Sequence, residues 1–120
     1  MQPTVLTGVE PGMRVAREEI FGPVLSVLRY TDEDDAVALA NDSSFGLNGA
    51  VFTADLEHGL EVAARIRTGT VEINGSPSGQ SAPMGGVKSS GIGRENGPEG
   101  IEQYCEAKSI LLPFGYTPEV

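Results

Sequence analysis

The predicted fold is α/β, with an open parallel or mixed sheet and flanking helices. A nearly continuous apolar run at 24–30 is typical of a strand covered on both faces. Capped helix patterns then separate this run from later apolar segments. The resulting order is strand, helix, strand, helix, strand, loop, helix, strand, which favours an α/β layer architecture. Right-handed crossovers would place both early helices on one face of the sheet.

The first half of the chain contains two predicted strands and one helix. An apolar patch at 5–6 predicts a brief strand, and residues 24–30 form the next one. Thr31 is expected to cap a helix over 31–40, with Asp34 in a capping-box-like position. The acidic first turn would lie at the positive end of the helix dipole. A hard cation is the alternative for this acidic cluster, but the helix start explains it without a ligand.

A second helix lies between two further predicted strands, at 46–53 and 70–74. Asp55 is expected to cap this helix over 56–67, and Gly69 to end it. The residues expected near one face of the helix are Leu56, Leu60, Ala63 and Ile66.

The last third is rich in glycine. Nine of the sixteen glycines lie in residues 69–100, and 75–97 has no predicted element. A structureless stretch of this length is usually functional or disordered. Pro98 predicts a third helix over 98–106, and residues 107–113 a last strand. The tail after it is expected to fray.

Composition excludes several classes of protein. The chain has 120 residues, 39% apolar and 21% charged, which predicts one globular domain with a modest core. Eight basic and seventeen acidic residues give a net charge of −9, so we expect neither nucleic acid nor an anionic membrane as a partner. A single cysteine excludes a disulfide scaffold, and no signal peptide or membrane span is visible. The expected location is the cytoplasm.

The glycine-rich stretch does not match a nucleotide-binding motif. A phosphate-binding loop needs Gly-Lys-Ser in succession, and Val87 interrupts it. The spacing of Gly91, Gly93 and Gly97 is one residue longer than that of the dinucleotide fingerprint, G-x-G-x-x-G. Tight turns and close backbone packing are favoured, with phosphate binding as the alternative.

Residues 17–23 allow two interpretations. The Glu19 carboxylate could accept hydrogen bonds from a pair of hydroxyls while the Phe21 ring stacks on a flat group. A solvated glutamate and a buried phenylalanine are the simpler alternative. His58 is expected on the surface. Cys105 is expected to be a small buried hydrophobe rather than a nucleophile, because glutamates flank it.

Together, these segments resemble the C-terminal part of an NAD(P)-dependent aldehyde dehydrogenase. The specific strings are EEIFGPV at 18–24, GTVEIN at 69–74 and GG-x-K-x-SG-x-GRE at 85–95. Their order and separation match the family over nearly the whole chain. The resemblance implies a partial catalytic domain at 1–106 and an oligomerisation strand with its tail at 107–120.

The resemblance also implies site residues. Glu19 would bind the ribose hydroxyls beside the nicotinamide of NAD or NADP, and Phe21 would pack near the nicotinamide. Ser78 and Met84 would line the substrate entrance, and the glycine-rich loop would be structural. The family usually has phenylalanine at Met84 and an aromatic residue at Glu72, so the substrate preference does not carry over.

No catalytic residue of the family is present in this sequence. The nucleophile lies in a Gly-Gln-x-Cys context and the general base in a Glu-Leu-Gly-Gly context, and neither string occurs. We therefore expect this chain alone to be inactive and to bind no cofactor, unless another chain supplies the missing part. Homo-oligomerisation through 107–113 is expected. The alternative function is a non-catalytic interaction module derived from the family.

Overall fold

The computed structural model describes residues 1–76 and 79–117. Within these residues it contains four strands, four α-helices and a short 3₁₀ turn at Lys88–Ser90. The strands and helices are β1 (Thr4–Val9), α1 (Arg14–Arg17), β2 (Val24–Leu28), α2 (Glu33–Asn41), β3 (Asn48–Val51), α3 (Leu56–Arg65), β4 (Thr70–Ile73) and α4 (Gly97–Glu102).

Two β–α–β units form the framework. Strands β1 and β2 pair in parallel with Thr4 opposite Val24, and β3 and β4 pair in parallel with Asn48 opposite Thr70. The α/β class and the parallel pairing are confirmed. In the described residues, however, the strands form two separate two-stranded sheets rather than one open sheet.

Side-chain caps explain where α2 and α3 begin. The Asp55 carboxylate accepts a hydrogen bond from the His58 amide at 3.1 Å, as predicted for α3. For α2 the predicted cap is wrong by one residue. Asp32 accepts from the Asp35 amide at 2.9 Å, while the Asp35 carboxylate accepts from the Thr31 amide at 2.9 Å. The N-cap is therefore Asp32, and the Asp35 side chain bonds the residue before the cap rather than the cap itself, so the arrangement differs from a capping box.

Helix α3 differs from its prediction at its end and on its face. It ends at Arg65, and Ile66 is already extended. Gly69 is therefore not its cap, and its absent side chain has another cause. A Cβ at Gly69 would lie 1.5 Å from the carbonyl oxygen of Gly85, so the two backbones could not pack together around any other residue.

The inward face of α3 is centred on Gly59, which is buried. A Cβ at this position would come within 2.7 Å of the Thr53 methyl group. Leu56 and Leu60, expected near one apolar face of this helix, have 59% and 56% of their surfaces exposed. The helix packs closely on β3 and β4 through its small residue, which leaves these leucines on an uncovered side.

The chain buries very little of its apolar surface. Among the described residues, the buried hydrophobic side chains are Val9 and Val37 alone, so the prediction of a modest core is wrong. The radius of gyration is 20.3 Å, whereas a compact chain of this length would have about 14 Å. The elongated shape leaves both sheets with uncovered apolar surface. No helix in the described ranges has the length and apolar character needed to cross a membrane.

The C-terminal segment also differs from its prediction. Helix α4 begins with Pro98 in its first turn, as expected, but it ends at Glu102 rather than at 106. Cys105 is exposed, so its prediction as a buried hydrophobe is wrong. Residues 107–113 form no strand here, and Leu111 is 93% exposed. A strand needs a hydrogen-bonded neighbour, and the segment meets none among the described residues.

Candidate functional site

The loop between α1 and β2 presents Glu19 and Phe21 to solvent. Two tight turns shape it, because the Gly22 amide donates to the Ile20 carbonyl at 2.7 Å and the Val24 amide donates to the Gly22 carbonyl at 2.8 Å. Phe21 is 92% exposed, so the simpler interpretation of a buried phenylalanine is wrong. An exposed ring two residues from an exposed carboxylate is an arrangement that can receive a flat ligand.

The two neighbouring glutamates of this loop differ in their partners. Glu18 forms a bidentate pair with Arg14, with N–O distances of 2.9 and 2.7 Å. This hydrogen bond holds the pKa of Glu18 below its usual value. Glu19 makes no side-chain hydrogen bond or ion pair to any other described residue. Of the two carboxylates, Glu19 is therefore the one available to an external hydroxyl group.

Glu19 lies at the edge of a groove of about 440 Å³, here called the Glu19 groove. Its other walls come from the turn after α2 and from the start of β3. The principal lining residues are Glu19, Ser43, Phe45, Leu47, Asn48 and Ser90. The groove is thus bounded by a carboxylate, an aromatic ring and several small polar side chains.

Asn48 is a lining residue that the sequence did not reveal. Its side-chain amide donates to the Glu72 carboxylate at 2.9 Å, from β3 across to β4. The sequence shows a carboxylate at Glu72, but it did not reveal that Asn48 would be the partner of that carboxylate. The pair makes this end of the sheet polar.

The glycine-rich loop forms the floor beneath the groove. The Gly46 carbonyl accepts from the Val87 amide at 2.9 Å, and the Gly46 amide donates to the Ser90 hydroxyl at 2.9 Å. The Lys88 ammonium donates to the carbonyls of Asn41 and Ser43 at 3.0 and 3.1 Å. These contacts agree with a packing role for the loop.

Met84 lies on a second concavity of about 340 Å³, which also includes Arg94 and Tyr104. Its amide donates to the Glu95 carbonyl at 2.7 Å, in an antiparallel bridge, and 46% of the residue is exposed. The two concavities share Leu47 and Ser90. Met84 and Glu19 therefore line two neighbouring concavities. Ser78 lies outside the described residues.

A charged cluster connects α2 and α3 away from both concavities. His58 Nε2 lies 2.5 Å from a Glu33 oxygen, and its Nδ1 lies 3.6 Å from Glu61. Arg65 pairs with Glu33 at 2.9 Å and also with Asp34. The hydrogen bond to Glu33 raises the pKa of His58 above its ordinary value of 6.5. The surface position predicted for His58 is confirmed, and its role is to link the two helices. In the described ranges, no group of three or more His, Cys, Asp or Glu side chains is placed to hold a metal ion.

Comparison with known proteins places this geometry in a family. The model of the aldehyde dehydrogenase family matches residues 1–110. A geranial dehydrogenase of Castellaniella defragrans is 55% identical over 112 residues, which cover 93% of this chain and 23% of that protein. A betaine aldehyde dehydrogenase of Brucella melitensis is 48% identical over 116 residues, which cover 96% of this chain and 24% of that protein.

Solved structures give the same result for the fold. The crystal structure of a Mycobacterium tuberculosis aldehyde dehydrogenase complexed with NAD+ superposes with a TM-score of 0.92 and 52% identity, covering 98% of this chain and 24% of that one. The 120 residues therefore span about a quarter of the length of the relatives they match, and correspond to a fragment of such an enzyme. This chain belongs to the aldehyde dehydrogenase family.

Proposed function

We propose that this chain forms the nicotinamide-side wall of the cofactor site in an NAD(P)-dependent aldehyde dehydrogenase. The enzyme would oxidise an aldehyde to a carboxylic acid. The observation that carries the proposal is the contrast between the two neighbouring glutamates. Glu18 is occupied by Arg14, whereas Glu19 is unpartnered among the described residues and faces a groove.

The residues present suit one half of a dinucleotide. The Glu19 carboxylate would accept hydrogen bonds from the ribose hydroxyls, and the Phe21 ring would lie against the nicotinamide. NAD(P) supplies the hydride acceptor for the oxidation. The volume of the Glu19 groove, about 440 Å³, is in the range of small-molecule sites, but its open side needs further walls. We therefore expect this chain alone to bind the cofactor too weakly to detect.

The chemistry of the reaction requires groups that this sequence lacks. The nucleophile and general-base strings of the family are both absent. Cys105 is no substitute, because it is an exposed residue after α4 and does not line the Glu19 groove. We propose that residues 1–106 contribute to a catalytic domain completed by the rest of the family's length, and that 107–120 mediate assembly. The cytoplasm is the proposed location.

A hybrid enzyme tests the cofactor assignment. This chain would replace the matching quarter of the Mycobacterium tuberculosis aldehyde dehydrogenase, and NAD(P)H formation from an aldehyde would be followed by absorbance. Glu19→Gln should raise the KM for the cofactor about tenfold, since it weakens charge-assisted hydrogen bonds to the ribose. Glu18→Gln is the matched control and should change this KM less than about twofold, because it disturbs an exposed pair. Equal effects of the two substitutions would contradict the assignment.

A non-catalytic interaction module is the second candidate. The observation that favours it is the exposed apolar segment at 107–113, which has no strand partner in the described chain. Unpaired strand segments recruit other strands. Sedimentation of this chain alone at micromolar concentration distinguishes the possibilities. Stable assembly with no cofactor effect in the hybrid would favour the module, whereas a monodisperse monomer would exclude it.

A further inference from the structure

One arginine joins the loop that carries Glu19 to the opposite wall of the Glu19 groove. Arg17 is the last residue of α1 and precedes Glu19 by two positions. Its guanidinium donates to the Pro11 carbonyl at 2.5 Å, to the Asp42 carbonyl at 2.9 Å and to the Asp42 carboxylate at 2.6 Å. The three bonds fix the end of α1 against the turn that follows α2.

That turn is held from the other side by Lys88. The three successive carbonyls at 41–43 lie at the negative end of the α2 dipole, where cations are favoured. Lys88 bonds the first and third, and Arg17 bonds the second. Lys88 has a φ of 57°, a left-handed conformation that is unusual for a residue with a side chain. The turn is thus clamped between the glycine-rich loop and α1.

The clamp joins two walls of the Glu19 groove. Glu19 belongs to the wall formed by the loop after α1, and Ser43 belongs to the wall formed by the turn after α2. The bonds of Arg17 to Asp42 are the described side-chain connection between these two walls. The hydrogen bond from Arg17, with a smaller contribution from Lys88, also lowers the pKa of the Asp42 carboxyl group.

We infer that Arg17, acting with Asp42, is a positioning residue that holds Glu19 at the correct distance from the groove wall for binding the cofactor ribose. The inference rests on the proposed role of Glu19. Arg17 itself would not contact the cofactor. Without the pair, the short α1 can move relative to the turn at 41–43, because no residue of α1 is buried.

Arg14 provides a matched comparison within the same helix. It pairs with Glu18 at 2.7 Å and is 87% exposed, so its interaction remains within the helix and its adjoining residue. Removing Arg14 deletes one cation and one ion pair from α1 without affecting the connection to Asp42. A general effect of charge or helix stability would appear in both variants, but a positioning effect would appear only in Arg17 variants.

The test uses the hybrid enzyme described above. Arg17→Met should raise the KM for the cofactor about tenfold and change kcat less than about twofold, since the hydrogen bonds lost position a binding group only. Asp42→Asn, which keeps the shape of the side chain and removes its charge, should act in the same direction with a smaller effect. Arg14→Met should leave both constants unchanged. Thermal melting checks that each variant is folded.

A charge exchange gives the decisive result. Arg17→Asp combined with Asp42→Arg should recover at least half of the lost cofactor affinity relative to Arg17→Asp alone. Unchanged KM in Arg17→Met, with Glu19→Gln still raising KM, would overturn the positioning role and leave the proposed function intact. Unchanged KM in Glu19→Gln would overturn the proposed function itself. A fall in kcat alone, or equal effects of Arg14→Met and Arg17→Met, would also overturn the inference.

Discussion

The glycine-rich stretch at 79–97 and the C-terminal segment at 107–117 are opposites in structure. The first has almost no regular secondary structure, yet its backbone packs against Gly46 and Gly69 and its side chains bond to the turn after α2. The second has an apolar, strand-like sequence, yet Leu111 and Ile110 are 93% and 75% exposed. The segment with the strand-like sequence is therefore the exposed one, and the segment with almost no regular secondary structure is the packed one.

The difference shows where each segment obtains its contacts. The glycine-rich stretch finds its partners within this chain, because glycines allow two backbones to approach closely. The C-terminal segment needs a partner strand and an apolar surface, neither of which the described residues provide. A chain that spans about a quarter of its relatives contains one region that is nearly complete and one that is not.

The largest expected effect concerns the close approach in the glycine-rich region. Gly69→Ala would place a Cβ 1.5 Å from the Gly85 carbonyl oxygen, so the loop must move away from β4. We expect a loss of at least about 3 kcal/mol in the free energy of unfolding, at the upper end of overpacking effects. Urea unfolding followed by circular dichroism measures it.

Gly12→Ala is the control for this substitution. Nothing lies within 4 Å of a Cβ at Gly12, and its φ is not in the left-handed region. It should leave stability unchanged or raise it slightly, because alanine restricts the unfolded chain. Equal losses for the two variants would show that the close approach of Gly69 to Gly85 does not cause the loss.

The next effect concerns the C-terminal segment. Leu111→Asp removes an exposed apolar side chain and adds a charge that opposes strand pairing. We expect the dissociation constant for self-association of this chain to rise about tenfold, the change caused by losing one interface anchor. Analytical ultracentrifugation over a concentration series measures it. Self-association that is insensitive to Leu111→Asp would show that another surface mediates assembly.

A smaller effect is expected at the link between α2 and α3. The pKa of His58 is raised in the folded chain, mainly by its hydrogen bond to Glu33, so the protonated form stabilises the fold. This contribution is fully present below the ordinary value of 6.5 and is lost as the pH rises through the raised value. Urea midpoints should therefore fall as the solution becomes more alkaline across this window. His58→Gln should flatten that dependence, and a slope that persists in the variant would exclude His58 as its source.

The smallest stability effect is expected at the site itself. Phe21 is 92% exposed, so Phe21→Ala should change the free energy of unfolding by less than about 0.5 kcal/mol. In the hybrid enzyme the same substitution should raise the KM for the cofactor. A large loss of stability would mean that Phe21 is a packing residue rather than a ligand-facing one.

Local signals in the sequence predicted the elements that depend on local chemistry. Asp55 caps α3 as expected, and Pro98 lies in the first turn of α4. The cap of α2 was wrong by one residue because Thr31 and Asp32 can both serve, and Asp35 accepts from Thr31 in the structure.

Features that depend on distant contacts could not be predicted in the same way. The role of Gly69 depends on Gly85, and the bonds of Arg17 depend on Asp42, far along the chain. Nor could periodicity show that residues 107–113 have no strand partner among the described residues. The loop that carries Glu19 was predictable as a string resembling a family, but the difference between Glu18 and Glu19 required the position of Arg14.

The most direct test of the account compares this chain alone with the hybrid enzyme, each with and without Glu19→Gln, by NAD(P)H formation from an aldehyde. We expect no turnover by this chain alone. We expect turnover by the hybrid, with a KM for the cofactor that rises about tenfold in Glu19→Gln. Turnover by this chain alone, or a hybrid whose cofactor KM does not respond to Glu19→Gln, would contradict this expectation.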